Sequence, residues 1–285
     1  MKLFLSLIIL LLVISCQKNT LTNEAWENQE SFQGPESIFY DANSGFIFVS
    51  NVNGNPDEKN GKGYIARLDS NGKTKDEKWI KGLNAPKGLR TDGNTLWVAD
   101  IDQVVKINID EGKIEKTIAC EGAMLLNDLT VASDGSVYVS DTFASKIFHI
   151  ENDKASVFMQ GEQLDSPNGL FIKDNTLYVA SWGLTTDWST KTPGRVYQID
   201  LATKEIKYIT PQVVGNLDGI EMTDKGNFLV SDWVAGKIFE IFPNGNIKTL
   251  FTGEKGLADI GFIQETKQIL IPYMIKNKVF TINYK

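Results

Sequence analysis

Short stretches of alternating apolar and polar residues, separated by turn-forming residues, run from residue 35 to the end of the chain. One unit shows the pattern clearly, with four such stretches at 129–131, 137–139, 146–150 and 155–158 and the turn Ser133-Asp134-Gly135 between the first two. A period of two predicts β-strands, and Asp-Gly turns predict hairpins. Since no stretch carries a sustained helical period, the sequence predicts an all-β protein of short antiparallel strands.

A four-residue motif opens each unit: a small, apolar or Pro residue, a mostly polar residue, a small residue or Asp, and an apolar residue. Its six copies are Pro35-Glu36-Ser37-Ile38, Pro86-Lys87-Gly88-Leu89, Leu126-Asn127-Asp128-Leu129, Pro167-Asn168-Gly169-Leu170, Leu217-Asp218-Gly219-Ile220 and, more weakly, Leu257-Ala258-Asp259-Ile260. Their second positions are 51, 40, 41, 50 and 40 residues apart. A period near 40 with several short strands per unit is typical of a β-propeller, and six copies predict a six-bladed β-propeller.

The sixth unit is incomplete, because it has strand-like stretches at 259–263, 268–271 and 278–283 and then the chain ends. Residues 24–32 precede the first unit and have no unit of their own. An unclosed blade would expose a sheet edge. We therefore expect this N-terminal segment to supply the missing strand and close the ring.

The first sixteen residues have the features of an export signal. Lys2 is followed by an apolar run over 3–14 that is too short to span a bilayer. The run ends Val13-Ile14-Ser15-Cys16, which resembles a bacterial lipobox, so we expect cleavage of 1–15, lipidation of Cys16, a tether over 16–28 and a propeller over 29–285. The alternative is an ordinary signal peptide that contains a cysteine. The lipid anchor would hold the protein at the bacterial cell envelope without a membrane span.

Charge and cysteine content narrow the classes of partner. After removal of 1–15 the chain has 28 basic and 36 acidic residues, a net charge of −8, which argues against nucleic acid as a partner. Only Cys120 remains besides Cys16, so no intramolecular disulfide is expected. An acidic balance is compatible with cation binding.

Propeller geometry predicts where the motif residues meet. The inner strand of each blade starts at one end of the central channel, and the second strand returns to that end. The predicted mouth therefore contains the six second positions of the motif: Glu36, Lys87, Asn127, Asn168, Asp218 and Ala258. The ends of the second strands are predicted to join this ring, and they are Asn51, Asp100, Asp141, Ser181 with Trp182, Asp232 with Trp233, and Tyr273.

Two loops account for the two long spacings of the repeat. Loops 52–62 and 183–193 are eight or nine residues longer than their counterparts, and both follow second strands. We therefore expect both to overhang the mouth, where long loops on a rigid scaffold usually carry function.

The mouth residues point to a hard cation. Glu36, Asn127, Asn168 and Asp218 offer oxygen ligands of the kind that calcium takes from carboxylates and amide carbonyls. Each residue alone is an ordinary turn residue, and it is their predicted convergence that favours a metal site. Zinc is disfavoured because the only histidine, His149, belongs to a third strand away from the mouth.

The motifs Pro35-Glu36-Ser37, Leu126-Asn127-Asp128, Ser166-Pro167-Asn168-Gly169-Leu170 and Leu217-Asp218-Gly219-Ile220 resemble the entrance motifs of the gluconolactonase/regucalcin (senescence marker protein-like) family. The resemblance covers 35–285 and implies a six-bladed propeller. It also implies that Glu36, Asn168 and Asp218 bind a divalent metal, which we expect to be Ca²⁺, that Asn127 faces metal and substrate, and that Asp218 is the acid/base.

Two features depart from that family. Its sugar-lactone enzymes carry an Arg shortly before the Asn of the third motif, where this chain has Met124-Leu125-Leu126, and the histidine pair of the related paraoxonases is absent. Trp182, Trp188 and Trp233 favour a flatter or more apolar ligand than a sugar lactone, and packing between blades is the alternative role for these tryptophans.

The function expected from this resemblance is metal-assisted hydrolysis of a small-molecule lactone or ester, with the cation polarising the carbonyl. The alternative is a non-catalytic propeller that binds a small ligand or a protein partner at the cell envelope. A condensing enzyme resembling strictosidine synthase is a third hypothesis, for which the residues offer little.

Overall fold

Residues 24–29 and 32–285 are described in this computed structural model, and they form six four-stranded antiparallel sheets. The predicted signal segment, Cys16 and most of the predicted tether lie outside the described residues. The described part of the chain contains no helix with the length and hydropathy of a membrane span.

Each of the first five sheets is built from four strands that are consecutive in the chain, so each is a blade that runs from the channel outward. Strand β1 (Glu24–Asn28) comes first and belongs to the sixth blade. The next strands are β2 (Pro35–Asp41), β3 (Phe46–Asn51), β4 (Gly63–Asp69) and β5 (Thr74–Leu83) in blade 1, and β6 (Pro86–Asp92), β7 (Thr95–Asp100), β8 (Gln103–Asn108) and β9 (Lys113–Ala119) in blade 2.

Blades 3 to 6 continue the same order. Their strands are β10 (Leu126–Val131), β11 (Val137–Asp141), β12 (Lys146–Glu151) and β13 (Lys154–Gln160); β14 (Pro167–Lys173), β15 (Thr176–Ser181), β16 (Val196–Asp200) and β17 (Ile206–Tyr208); β18 (Leu217–Met222), β19 (Phe228–Asp232), β20 (Lys237–Ile241) and β21 (Ile247–Thr252); and β22 (Gly261–Ile263), β23 (Gln268–Tyr273) and β24 (Lys278–Asn283). Two 3₁₀ turns, Glu162–Leu164 and Met274–Lys276, complete the regular structure.

The ring closes through the N-terminal strand, as the sequence predicts. β1 pairs antiparallel with β24, with Glu27 opposite Phe280, and becomes the outermost strand of the sixth sheet. The Asn28 amide then donates to the Gly72 carbonyl at 2.7 Å and so ties blade 6 to blade 1. This strand lies before residue 29, where the sequence analysis starts the propeller domain.

The hydrophobic core is divided among the six interfaces between neighbouring blades. Each interface has its own cluster of buried apolar side chains from two adjacent blades. At the closing interface, for example, Ile38 and Tyr64 of blade 1 pack in one cluster with Leu270 and Val279 of blade 6. Because burial of such side chains stabilises by about 1.5–3 kcal/mol each, the ring holds the mouth residues on a rigid frame.

Candidate functional site

A β-bulge recurs where the inner strands enter the blades. The register between first and second strand shifts between Pro35 and Ile38 in blade 1, and the same shift occurs in blades 2 to 5. A bulge places two residues opposite one and breaks the strict alternation of side chains. Glu36 and Ser37 are therefore both buried at the channel, which a regular strand would not allow.

Serine hydroxyl groups on the second strands hold these bulges in place. Ser140 Oγ accepts the Asp128 N–H at 2.9 Å and donates to the Asn168 carbonyl of the next blade at 2.7 Å. Ser231 Oγ accepts the Gly219 N–H and donates to the Ala258 carbonyl in the same way. Each hydroxyl thus fixes a mouth residue across a blade boundary.

Glycine in the motif allows adjacent blades to approach closely. A Cβ atom on Gly169 would overlap the Asp218 carbonyl of the next blade. The absence of a side chain at this position therefore brings Asn168 and Asp218 together, and the Asn168 side chain lowers the pKa of Asp218 against the larger rise that burial causes.

The mouth is a cavity of about 270 Å³ with a polar floor and an apolar wall. Its lining residues come from all six blades and include both long loops, and they are Glu36, Pro56, Lys87, Asn127, Trp182, Trp188, Asp218, Trp233, Val234 and Met274. The structure thus brings together five sequence-predicted site residues, and the sixth, Asn168, lies beside Asp218. Pro56 belongs to loop 52–62 and Trp188 to loop 183–193, so both loops reach the mouth.

Three buried oxygen atoms on this floor have no hydrogen-bond partner among the described residues. They are Glu36 Oε2, Asn127 Oδ1 and Asn168 Oδ1. The Asn168 amide nitrogen donates to the Leu217 carbonyl at 3.2 Å, which fixes the orientation of this side chain. Buried oxygens without a partner cost free energy unless a donor or a cation meets them. We call the side-chain oxygens of Glu36, Asn127, Asn168 and Asp218 the mouth oxygens.

Ionisation of both mouth carboxylates is costly, mainly because both are buried. Burial raises the pKa of Glu36 well above its ordinary value, and the charge of Asp218 adds to this, while Lys87 opposes it. Burial also raises the pKa of Asp218, together with the charges of Asp259 and Asp128. This direction is the one that a carboxylate pair without a counter-ion gives.

Lys87 is a further functional candidate. Its motif position predicts that it lies at the mouth, but the sequence alone assigns it no role. Its side chain is 1% exposed, and its Nζ donates to the Pro56 carbonyl at 2.7 Å and the Ala85 carbonyl at 2.9 Å. Burial lowers its pKa, whereas the charge of Glu36 acts in the opposite direction. The sequence did contain a signal for this residue, because Lys87 is the one basic residue among the six second positions of the motif.

An aromatic cluster forms one wall of the cavity. Trp182 packs edge-on against Trp188 at 5.1 Å between ring centroids and lies 6.2 Å from Trp233, while Phe143 packs against Trp188 at 4.7 Å. Trp188 has a φ of 67°, a conformation that is strained for a bulky side chain. Loop 183–193 therefore holds this ring over the mouth at a conformational cost.

The carboxylates at the ends of the second strands do not join the lining, contrary to expectation. Asp100 accepts the backbone N–H groups of Asn84 and Ala85, and Asp141 accepts those of Met124 and Leu125. These carboxylates accept hydrogen bonds from backbone N–H groups of the segment just before the first strand of the same blade, which would otherwise lack partners. Their role is to clamp the entrance of the inner strand of their own blade.

A second buried charged group lies three residues further along β6. The Arg90 guanidinium is 3.7 Å from Asp128, 3.4 Å from Glu221 and 3.5 Å from Asp259. It also donates to the Leu89 carbonyl at 2.6 Å. We call these four charged residues the inner cluster. Burial raises the pKa of Asp128 to about 8 and that of Glu221 to about 7, while Arg90 lowers both.

The mouth oxygens fit a hard divalent cation better than zinc. No group of three or more His, Cys, Asp or Glu side chains in the described ranges is placed to hold a metal ion. The mouth instead combines two carboxylates with two amides, three of whose oxygens lack a partner, and calcium accepts such a mixed oxygen set. The only histidine, His149, stacks on Tyr138 in blade 3.

Comparison with known proteins agrees with this fold. The model of the SMP-30/Gluconolactonase/LRE-like region matches residues 35–252. No curated protein sequence matches the chain. Among solved structures, a gluconolactonase from Xanthomonas campestris superposes with a TM-score of 0.70 at 14% identity and covers 92% of this chain and 88% of its own.

Two lyases share the same architecture. A streptogramin B lyase superposes with a TM-score of 0.62 at 15% identity, over 91% of this chain and 98% of its own. Virginiamycin B lyase from Staphylococcus aureus gives a TM-score of 0.60 at 16% identity, over 87% and 80%. These identities establish the shared fold alone. The family match over 218 residues goes further, and the chain belongs to the SMP-30/gluconolactonase/LRE-like family.

Proposed function

We propose that the protein is a divalent-cation-dependent hydrolase of lactones or esters, with its site at the propeller mouth. The observation that carries this proposal is the set of three buried, partnerless oxygens contributed by Glu36, Asn127 and Asn168 beside the Asp218 carboxylate. Family membership supports the reaction class. Glu36, Asn168 and Asp218 would hold the cation, and calcium suits their oxygens.

When bound, the cation supplies Lewis acidity toward the carbonyl oxygen of the substrate. Residues of the chain orient the substrate and transfer the proton. Asn127 orients the substrate at the edge of the floor, and Asp218 accepts a proton from the water that attacks the carbonyl carbon. The bond between carbonyl carbon and leaving oxygen then breaks, the proton passes to that oxygen, and a hydroxy acid forms from one lactone and one water.

The wall of the cavity favours an apolar substrate. Trp182, Trp188 and Trp233 offer aromatic faces, and Val234 and Met274 extend the apolar lining. A polyhydroxylated ring would leave several hydroxyl groups against this wall without partners, which costs free energy. We therefore assign an aromatic or alkyl-substituted lactone or ester as the substrate class, with Trp182 and Trp233 as binding residues.

A lactone panel tests this proposal. Purified protein should hydrolyse an aromatic δ-lactone and an alkyl-substituted γ-lactone faster than a polyhydroxylated δ-lactone, and chelator should abolish the activity. Asp218→Ala and Asn168→Ala should each lose it as well. Hydrolysis that is unaffected by the chelator and by both substitutions would refute the mechanism.

A non-catalytic propeller that binds a small ligand in the same mouth is the alternative. It predicts that apolar lactones quench the fluorescence of the wall tryptophans without turnover. A lyase mechanism has less support, because a catalytically inactive histidine variant is described for virginiamycin B lyase, whereas His149 lies in β12 away from this mouth.

We also propose, from the sequence alone, that the mature chain is exported and anchored through Cys16 at the bacterial cell envelope. Metabolic labelling with a fatty acid analogue should mark the wild type and not a Cys16→Ser variant, and equal labelling would contradict the anchor.

A further inference from the structure

Lys87 occupies a position that the proposed mechanism leaves without a role. It lines the cavity together with Glu36 and Asp218, and its side chain is almost completely buried. Burying an ammonium group is costly unless its donors are used. The partners of its three N–H donors therefore indicate the role of this lysine.

Two of the three donors are satisfied by backbone carbonyls. Nζ donates to Pro56 O in loop 52–62 and to Ala85 O just before β6. In the described part of the chain Nζ forms no ion pair with Glu36 or Asp218, although both charges act on it. An ammonium group carries three N–H donors, so one remains for a ligand in the cavity that Lys87 lines.

Among the described residues that line the mouth, no other side chain carries a positive charge. The remaining lining residues are acidic, amide or apolar, and Arg90 is held by its three carboxylates in the inner cluster. A charged donor is worth roughly twice a neutral one when it meets an anionic oxygen. Lys87 is thus the group best suited to meet negative charge that develops on a substrate.

We propose that Lys87 is a catalytic residue that donates its free N–H to the carbonyl oxygen of the substrate. This inference rests on the proposed hydrolase function. As water adds to the carbonyl carbon, the electron pair of the C=O bond moves to oxygen, and the Lys87 ammonium stabilises that negative charge without giving up its proton. The charge returns to the carbonyl when the leaving oxygen departs and takes the proton of the water.

A purely structural role is the competing explanation, because the bond to Pro56 also fastens loop 52–62 over the mouth. Two substitutions separate the roles. Lys87→Met removes the charge and all donors, whereas Lys87→Gln removes the charge but retains a neutral amide donor. A role in loop anchoring alone predicts that Gln preserves turnover, and oxyanion stabilisation by a charge predicts that it does not.

The experiment compares both variants with the wild type on an apolar lactone in saturating calcium. We expect kcat to fall about 10²- to 10³-fold in both, as on removal of an oxyanion donor, with KM changed by less than about threefold. Lys204→Met is the matched control, because it also removes a lysine bond to a carbonyl, that of Phe158, at an exposed turn. Its kcat should equal that of the wild type.

Calcium binding and loop mobility provide readouts that do not depend on turnover. Titration calorimetry should show that both variants bind calcium at least as tightly as the wild type, since removal of a positive charge removes repulsion. Hydrogen exchange over 52–62 should accelerate more in the Met variant than in the Gln variant. A loss of kcat that follows loop exchange from variant to variant would overturn the proposal in favour of an anchoring role.

The two hypotheses fail differently. Wild-type protein without activity on any lactone or ester would refute the proposed function and, with it, the role of Lys87. Activity in the wild type that persists within tenfold in Lys87→Gln would refute the role of Lys87 alone.

Discussion

Two groups of buried polar side chains lie in the channel, and they differ in whether their carboxylates form ion pairs within the chain. The inner cluster contains its own cation, since Arg90 lies within 3.4–3.7 Å of three carboxylates. The mouth oxygens include those of two carboxylates, and among the described residues neither carboxylate forms an ion pair with Lys87. Three of the mouth oxygens have no hydrogen-bond partner among these residues. The carboxylates of the first group form ion pairs within the chain, although Arg90 Nη2 and Asp259 Oδ1 have no hydrogen-bond partner among the described residues. The two carboxylates of the second group form no ion pair with any described residue, so a bound cation would supply the missing charge.

This difference distinguishes a structural site from a candidate functional site. Buried charges in proteins are normally paired or coordinate metals. Arg90 meets that condition and links blades 2, 3, 5 and 6 around the channel. The mouth oxygens meet it only with a bound cation or donor, which is the physical basis for the proposed metal site.

The largest effect should come from the mouth. Glu36→Gln removes one proposed ligand, so hydrolysis should fall by about 10³-fold, as expected when metal-assisted polarisation is lost. The free energy of unfolding without cation should stay the same or rise, because a buried carboxylate beside Asp218 is removed. Steady-state kinetics and urea denaturation in chelator measure the two quantities.

A loss of stability in Glu36→Gln comparable to a broken ion pair would contradict the contrast between the two groups. So would retention of wild-type turnover in calcium.

The inner cluster should respond in the opposite way. Arg90→Met leaves three buried carboxylates without their cation, so we expect a loss of about 3–5 kcal/mol in the free energy of unfolding. Lys267→Met is the control, because it removes an exposed pair with Asp224 that should contribute about 0–1 kcal/mol. Urea denaturation compares the variants, and equal losses would show that the inner cluster is not a stabilising unit.

The pH dependence of the inner cluster is a smaller effect with a definite sign. Burial raises the pKa of Glu221 from 4.5 to about 7, while Arg90 lowers it. Between these values the folded state binds more protons than the unfolded state, so the Glu221 contribution to stability falls as pH rises through this window. The stability of Glu221→Gln relative to the wild type should therefore increase from pH 5 to pH 7.

Urea denaturation at pH 5, 6 and 7 measures this difference. A difference that is constant or declines with pH would contradict the raised pKa of Glu221.

The smallest effect should come from the apolar wall. Trp188→Ala removes aromatic contacts with Trp182 and Phe143, each worth about 0.5–1.5 kcal/mol, but also relieves a strained backbone at φ 67°. We expect KM for an aromatic lactone to rise about two- to tenfold and the melting temperature to change little. The same change in KM for a polyhydroxylated lactone would show that the wall does not select the substrate.

The fold was accessible from the sequence because its determinants are local and repeated. Turn pairs such as Asp134-Gly135 and the motif around Asn168 recur at intervals near 40 residues, and the missing fourth strand of the last unit predicts that the N-terminal segment closes the ring. The long loops were accessible for the same reason, since insertions stand out against a regular repeat.

The interior of the channel was not accessible, because it depends on pairings between blades. Nothing in the sequence near Arg90 identifies Asp128, Glu221 and Asp259 as its partners. The bulges reorient side chains that a period of two would place on opposite faces. Asp100 and Asp141 were predicted at the mouth, but their backbone partners are visible only in the fold.

Calcium titration calorimetry on the full chain, after treatment with chelator, measures whether the mouth oxygens bind a cation. We predict one calcium per chain, loss of binding in Asn168→Leu and Glu36→Gln, and unchanged binding in the surface control Asp153→Asn. Absence of binding in the wild type, or equal binding in all four proteins, would contradict a metal site formed by the mouth oxygens.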